Sequence, residues 1–234
     1  MIRLGVRLGA AGLLLAALAG CGSDQSEKEG TQLATDTAKG IVGLLPIPFL
    51  KRTGPAAPPP DVEAMALSAL ETNRGPLIFT AFEAQGLSTI LGMIGENGAM
   101  RTYATPSSQA LILRAGVLAG TRGFGHDMIS GDVDQVAVLI RSRTAGTAPK
   151  VLRYLDGLGL ERPLPLECSV RTGADSTYPF AGQSWTGTQV VEHCTGSGAV
   201  IDNSYIVGAD GNILASRQWI SPELGYVTIQ TVRR

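Results

Sequence analysis

The chain has 234 residues, 19 Lys and Arg against 20 Asp and Glu, two histidines, and a formal charge of −1. No basic stripe or Lys/Arg cluster occurs, so nucleic acid is not an expected partner, and two histidines exclude a histidine-rich metal site. Thirty glycines with many Val, Ile, Leu and Thr favour a β-rich binding or structural protein, and the length suffices for one domain with a sizeable core.

The N-terminus reads as an export signal. Arg3 and Arg7 precede an apolar run from Leu8 to Leu18, too short for a stable membrane-spanning helix and laid out as a secretory h-region. Leu18-Ala19-Gly20-Cys21 then closes it with the four residues of a bacterial lipobox. The pattern is similar to signals cut by the lipoprotein-specific peptidase, and implies a signal over residues 1–20 and acyl chains on Cys21. The alternative is an ordinary signal with a chance cysteine. One acyl chain holds only marginally and two or more hold firmly, so the expected product is a domain tethered to a membrane by Cys21, not spanning it. Gly22 rather than Asp after the cysteine favours the outer membrane by resemblance to Gram-negative sorting rules, with the domain facing the periplasm. Removing residues 1–20 takes the formal charge from −1 to about −3.

Residues 21–60 read as a tether and Pro-rich linker. A polar stretch is followed by apolar residues broken by Pro46 and Pro48, then by Thr53-Gly54-Pro55-Ala56-Ala57-Pro58-Pro59-Pro60, extended and semi-rigid. Residues 61–234 read as a single β-rich domain. Asp61 is a candidate N-cap of a short helix with Glu63 in its first turn, ending by Asn73-Arg74-Gly75-Pro76. About eleven strands then follow in tight pairs, among them Lys150 to Leu155 with Leu160 to Val170. Asn97-Gly98 is a strong type I′ hairpin signal, and Ala115-Gly116, Asp156-Gly157 and Asp210-Gly211 mark further turns. A short helix near 131–142, capped by Ser130, carries Val133, Val136, Ala137 and Ile140 on one face and ends at Arg141 and Arg143. Consecutive hairpins imply a mainly β fold, an antiparallel sheet curled into a barrel or sandwich. Uneven strands and few aromatics argue against a lipid-facing outer-membrane barrel.

With Cys21 taken by lipid, Cys168 and Cys194 remain, and an oxidising compartment favours a structural disulfide between them over two thiols or a redox pair. Catalytic patterns are missing. Gly182-Gln183-Ser184-Trp185-Thr186-Gly187 misses the nucleophile-elbow spacing by one residue, and Gly123-Phe124-Gly125 lacks the third glycine of a dinucleotide loop. Asp132 and Asp134 lack the oxygen-ligand pattern of a metal loop, so neither metal nor cofactor is expected. A polysaccharide-acting enzyme would have to draw on carboxylates such as Asp127, Asp132 or Glu192, two of them across a groove. Candidates for ligand contact are Trp219 with Arg217, Tyr103 with Arg101, and Trp185, because Trp and Arg suit sugar rings and anionic groups.

Several strand motifs occur together: Arg101-Thr102-Tyr103-Ala104-Thr105, Arg122-Gly123-Phe124-Gly125-His126-Asp127, Arg153-Tyr154-Leu155-Asp156-Gly157, Asn203-Ser204-Tyr205 and Ser216-Arg217-Gln218-Trp219-Ile220-Ser221-Pro222, with Cys168, Cys194 and the lipobox. In these the chain resembles the YjbF-type group 4 capsule polysaccharide lipoprotein family, from about Leu77 to the C-terminus. The resemblance implies an outer-membrane lipoprotein working with machinery that makes or exports an extracellular polysaccharide, as a non-catalytic accessory with no active site to transfer. Its expected partners are the membrane, polysaccharide export proteins, or the polysaccharide itself, which a carbohydrate-binding module would hold directly.

Overall fold

The computed structural model describes residues 61–234. The signal, Cys21 and the 21–60 linker lie outside them. The elements in chain order are α1 (Val62–Thr72), β1 (Leu77–Phe82), β2 (Leu87–Asn97), β3 (Met100–Ala104), β4 (Ala110–Arg114), β5 (Val117–Arg122), β6 (Ser130–Asp132), α2 (Asp134–Ser142), β7 (Gly146–Leu155), β8 (Glu161–Phe180), β9 (Gln183–Gly196), β10 (Ala199–Val207), β11 (Ile213–Ser221) and β12 (Gly225–Arg233). All twelve strands form one sheet, ordered β5-β4-β3-β2-β1-β12-β11-β10-β9-β8-β7-β6. Every pairing is antiparallel. The first and last strands of that order meet, nearly closing a barrel. Thr121 on β5 donates its N–H to the Met128 carbonyl (2.9 Å), and the Met128 N–H returns to the Thr121 hydroxyl (3.0 Å).

Side-chain alternation explains which wall faces inward. Along β9 the buried positions Val190, Glu192 and Cys194 alternate with partly or fully exposed Val191, His193 and Thr195. The outward positions of β8 and β10 carry Glu161, Glu167 and Asp202, which suits water rather than lipid. The interior is a filled core that includes Ile78, Tyr103, Leu113, Leu118, Ile140, Tyr205 and Ile229. A second, smaller core forms outside the barrel, where Val62 and Ala66 of α1 pack with Leu77, Phe79, Phe180, Trp185, Leu214 and Val232. Asp61 caps α1 by accepting the Ala64 N–H (3.0 Å), and Glu63 accepts the N–H groups of Ala181 and Gly182 at the β8–β9 turn.

Three sequence expectations shift. Ser130–Asp132 is a strand, not a helix start, because Ser130, Gly131 and Asp132 pair with Arg153, Leu152 and Val151 of β7. The helix therefore begins at Asp134, without a side-chain cap, and Arg143 ends it in the left-handed conformation. The β2–β3 turn is Gly98-Ala99, with Asn97 still paired to Met100, so only Gly98 adopts positive φ. And β8 runs ten residues beyond Val170, through a polar stretch that pairs with β9 after an irregularity at Thr172/Asp175.

The barrel interior is stapled by polar groups. Lys150 of β7 and Glu192 of β9 form an ion pair at 2.9 Å, with the Glu192 side chain wholly buried. Asn203 and Tyr205 of β10 each donate to the other Glu192 oxygen at 2.7 Å. Burial alone would push the Glu192 carboxyl up, but Lys150 and these donors outweigh it and hold it below its ordinary value. Tyr205 is pushed well above its own, by burial and by the Glu192 charge. Gln218 of β11 extends the network across the barrel, accepting the Leu118 N–H of β5 at 2.7 Å. Next to it, Cys168 and Cys194 are joined in a disulfide between facing positions of β8 and β9.

Replacing Glu192 by Gln leaves the Lys150 charge buried without a counterion and is expected to cost about 3–5 kcal/mol in urea denaturation at pH 7. Because the folded Glu192 titrates below its ordinary 4.5, its stabilisation is complete above that value and lost as pH falls through the folded one. The wild-type denaturation midpoint should therefore fall more steeply with acid below about pH 4.5 than that of E192Q. Parallel acid limbs would contradict this. Reducing the disulfide, which closes a loop of about 25 residues, should remove roughly 3 kcal/mol, or about 6–12 °C of Tm, compared by calorimetry with and without reductant.

Candidate functional site

The two ends of the barrel differ in chemistry. The turns β2–β3, β4–β5, β8–β9 and β10–β11, the C-terminus of β12 and helix α2 share one end, here the upper end. The turns β1–β2, β3–β4, β7–β8, β9–β10 and β11–β12 share the other. At the lower end aromatic groups fill the opening: Phe82 and Phe124 lie with ring centroids 4.6 Å apart, and Tyr154 meets Trp219 edge-on at 6.2 Å. At the upper end α2 packs against β7 to β10. The opposite side of that end is left as a cavity of about 340 Å³.

Core residues Ile78, Tyr103, Leu113 and Ile229 line this cavity, and four arginines line it with them: Arg101, Arg141, Arg233 and Arg234. Local structure fixes each one. Arg141 sits in the last turn of α2 and donates its Nε to the Gly211 carbonyl at 2.9 Å. Arg233 closes β12 and ties α1 to the barrel by donating to the Asn73 and Leu70 carbonyls. Arg234 pairs with Asp210 at 2.7 Å, and Arg101 with Glu96 at 2.8 Å. The β4–β5 turn, with Ala115 and Gly116 both at positive φ, forms part of the rim. A β-carbon on Gly116 would stand 2.9 Å from Ile213, so only glycine allows this turn to seat against β11. A second, more open depression of about 480 Å³ adjoins the first, sharing Leu214, Arg233 and Arg234 and adding Trp185 with Ser184 and Thr186. The Arg234 guanidinium lies over the Trp185 ring at 5.6 Å.

The residues singled out from sequence divide between the ends. Arg101 and Tyr103 line the upper cavity and Trp185 the adjoining depression, its indole N–H donating to the Phe180 carbonyl. Burial pushes the Tyr103 phenol up, outweighing the opposing pull of Arg101, so it stays protonated at neutral pH. Arg217 and Trp219 lie toward the lower end. Arg217 is spent on a bidentate pair with Glu83, both bonds 2.7 Å, and on the Tyr226 ring 3.6 Å beneath it. Trp219 is half-buried against Tyr154, and its N–H is held by the Asn203 side chain where β10 and β11 part.

Residues 53–232 match the family described as group 4 capsule polysaccharide lipoprotein, YjbF. The chain belongs to the YjbF group 4 capsule polysaccharide lipoprotein family. No curated protein matches the sequence. Among solved structures, the fold is similar to that of a hypothetical lipoprotein, YmcC, from Escherichia coli K12, at a TM-score of 0.64 and 12% identity, covering 72% of this chain and 89% of that one. A likeness to an exported protein of YmcC-like fold from Bacteroides fragilis covers 69% and 96% of the two chains at 12% identity, but its TM-score of 0.28 supports no argument.

In this YjbF-family chain the carboxylates that an enzyme would draw on are already engaged. Glu192 is enclosed with Lys150, Asp132 pairs with Arg153 at 2.6 Å, and Asp127 accepts from the Thr121 hydroxyl at 2.7 Å and from the Phe124 N–H. His193 faces outward and meets Asp202 across the β9–β10 ladder at 2.7 Å, as a strand-surface pair. Cys168, Cys194 and Glu192 stand close enough to share an ion. However, both sulfurs are in the disulfide and offer no thiolate. Arg141, Arg233 and Arg234 were not legible as site residues, because Arg141 reads as a dipole-matching helix end and the others as the chain terminus. The available signal was the Arg233-Arg234 doublet with no acid among the preceding eight residues.

Proposed function

We propose that the mature chain is held in the outer membrane by acyl chains on Cys21, faces the periplasm, and acts as a non-catalytic accessory in capsule or exopolysaccharide production or export. The observation that carries this reading is the family match over 53–232, which gives the chain a role in capsule polysaccharide production and a place in the cell envelope. The lipobox around Cys21 supports the anchor. A second reading, a module that holds the polysaccharide directly, is favoured by the arginine-lined cavity beside Trp185.

Deleting the gene should lower surface polysaccharide under producing conditions, measured as uronic acid or total carbohydrate on washed cells, and re-expression should restore it. Unchanged polymer would sink the proposal. Cys21→Ser should abolish labelling by a fatty-acid probe and leave the signal uncleaved by the lipoprotein peptidase. Normal labelling of that variant would refute the anchor.

A further inference from the structure

The upper cavity concentrates positive charge in a chain whose formal charge is −1. Its four arginines face two carboxylates, Glu96 and Asp210. Arg141 and Arg233 meet only backbone carbonyls among the described residues, so each guanidinium is fixed in place without being neutralised. Elsewhere Arg217 is matched to Glu83, Arg162 to Asp156, and Arg153 to Asp132 and Glu161, whereas Arg74, Arg122, Arg143 and Arg171 have no ion pair among the described residues; what distinguishes the mouth is that four arginines share one cavity. A guanidinium held by carbonyls has already lost its side-chain freedom and keeps donors for a planar anion, which lowers the cost of binding one. The apolar floor of Ile78, Leu113 and Ile229 lowers the local dielectric and strengthens that attraction.

We propose that this mouth binds an acidic sugar unit of a polysaccharide, with its carboxylate held by Arg141, Arg233 and Arg234 and the adjoining chain running over the depression at Trp185. The cavity volume, about 340 Å³, lies in the range of small-ligand sites and admits a sugar rather than a folded partner. Asn212, Ser216 and Thr231 on its wall supply the amide and hydroxyl groups that sugar hydroxyls need. The second depression shares Arg233 and Arg234 with the first and adds the hydroxyls of Ser184 and Thr186 above the buried Trp185, so the two suit consecutive units of one chain. A membrane surface is a poorer fit, because the charges ring an opening, with Arg141 and Arg233 partly buried, rather than spread over a flat face. The proposal rests on the capsule role and assigns that role a ligand-binding surface.

The test is isothermal titration of the full mature lipoprotein in neutral detergent at low ionic strength. The probes are tetragalacturonate, neutral maltotetraose, sodium sulfate and phosphatidylglycerol vesicles. Wild type should bind tetragalacturonate at least about tenfold more tightly than maltotetraose, the effect of one or two charge-assisted hydrogen bonds. R141Q and R234Q should each weaken it by about five- to tenfold, and R162Q at the lower end should leave it unchanged. Arg234 is exposed at the chain end, so R234Q keeps the test valid if R141Q melts early. Equal affinity for the neutral sugar, unaltered binding in both mouth variants, or a response to sulfate or vesicles alone would each overturn the proposal. Lost polymer on gene deletion combined with such a result would leave the capsule role standing and remove only the mouth.

Discussion

The Lys150–Glu192 pair is the constraint around which the barrel is organised. Two opposite charges lie inside a nearly closed sheet, at 2.9 Å, with water excluded from both. Such a pair adds little net stability compared with a well-packed apolar core, but it tolerates almost no misplacement, since either charge alone would be costly to bury. It also fixes register. Sliding β7 or β9 by one residue would turn Lys150 or Glu192 to the outer face and bring an outward neighbour in. Asn203 and Tyr205 extend the same demand to β10, and Gln218 to β11 and the free edge of β5. With the disulfide between β8 and β9, five consecutive strands are locked by interior polar or covalent links.

A wall held this firmly can present different chemistry at its two ends. At the lower end aromatic side chains fill the opening, and Arg217 is neutralised by Glu83. At the upper end the helix α2 covers one side only, and Arg141 and Arg143 fasten its C-terminus to the β10–β11 turn through the carbonyls of Gly211 and Gly208. The last strand delivers Arg233 and Arg234 to the other side. The basic mouth thus follows from topology: helix end, strand end and three turns converge at the upper end of the barrel. At 12% identity, the likeness to the E. coli lipoprotein shows that this topology survives wide changes of sequence.

Much of the fold was legible because hairpin turns and alternation are local. Eleven of the twelve strands are readable from paired apolar runs, and Ala115-Gly116 and Asp210-Gly211 turn where glycine requires it. The missed strand, Ser130–Asp132, is three residues long and exists only because β7 pairs with it. The missed β8 extension is polar and gains its strand state from β9 and from α1 packing on its tip. Charge pairing was the harder part. Glu192 reads from sequence only as a candidate carboxylate for chemistry, and its pairing with Lys150, 42 residues away, goes unread although both stand on inward faces in Ala148-x-Lys150-x-Leu152 and Val190-x-Glu192-x-Cys194. The site was harder still. Arg101, Tyr103 and Trp185 reach the upper end, but their companions Arg141, Arg233 and Arg234 come from remote segments with no motif linking them.

On the proposed function, a rigid barrel meets the polymer through one end. A photoreactive amino acid placed in cells at Asn212, on the wall of the upper cavity, tests this most directly against the same group at Glu223 of the lower end. Irradiation of polysaccharide-producing cells should link carbohydrate to the protein from Asn212 and not from Glu223. Carbohydrate captured equally from both ends, or from Glu223 alone, would contradict it.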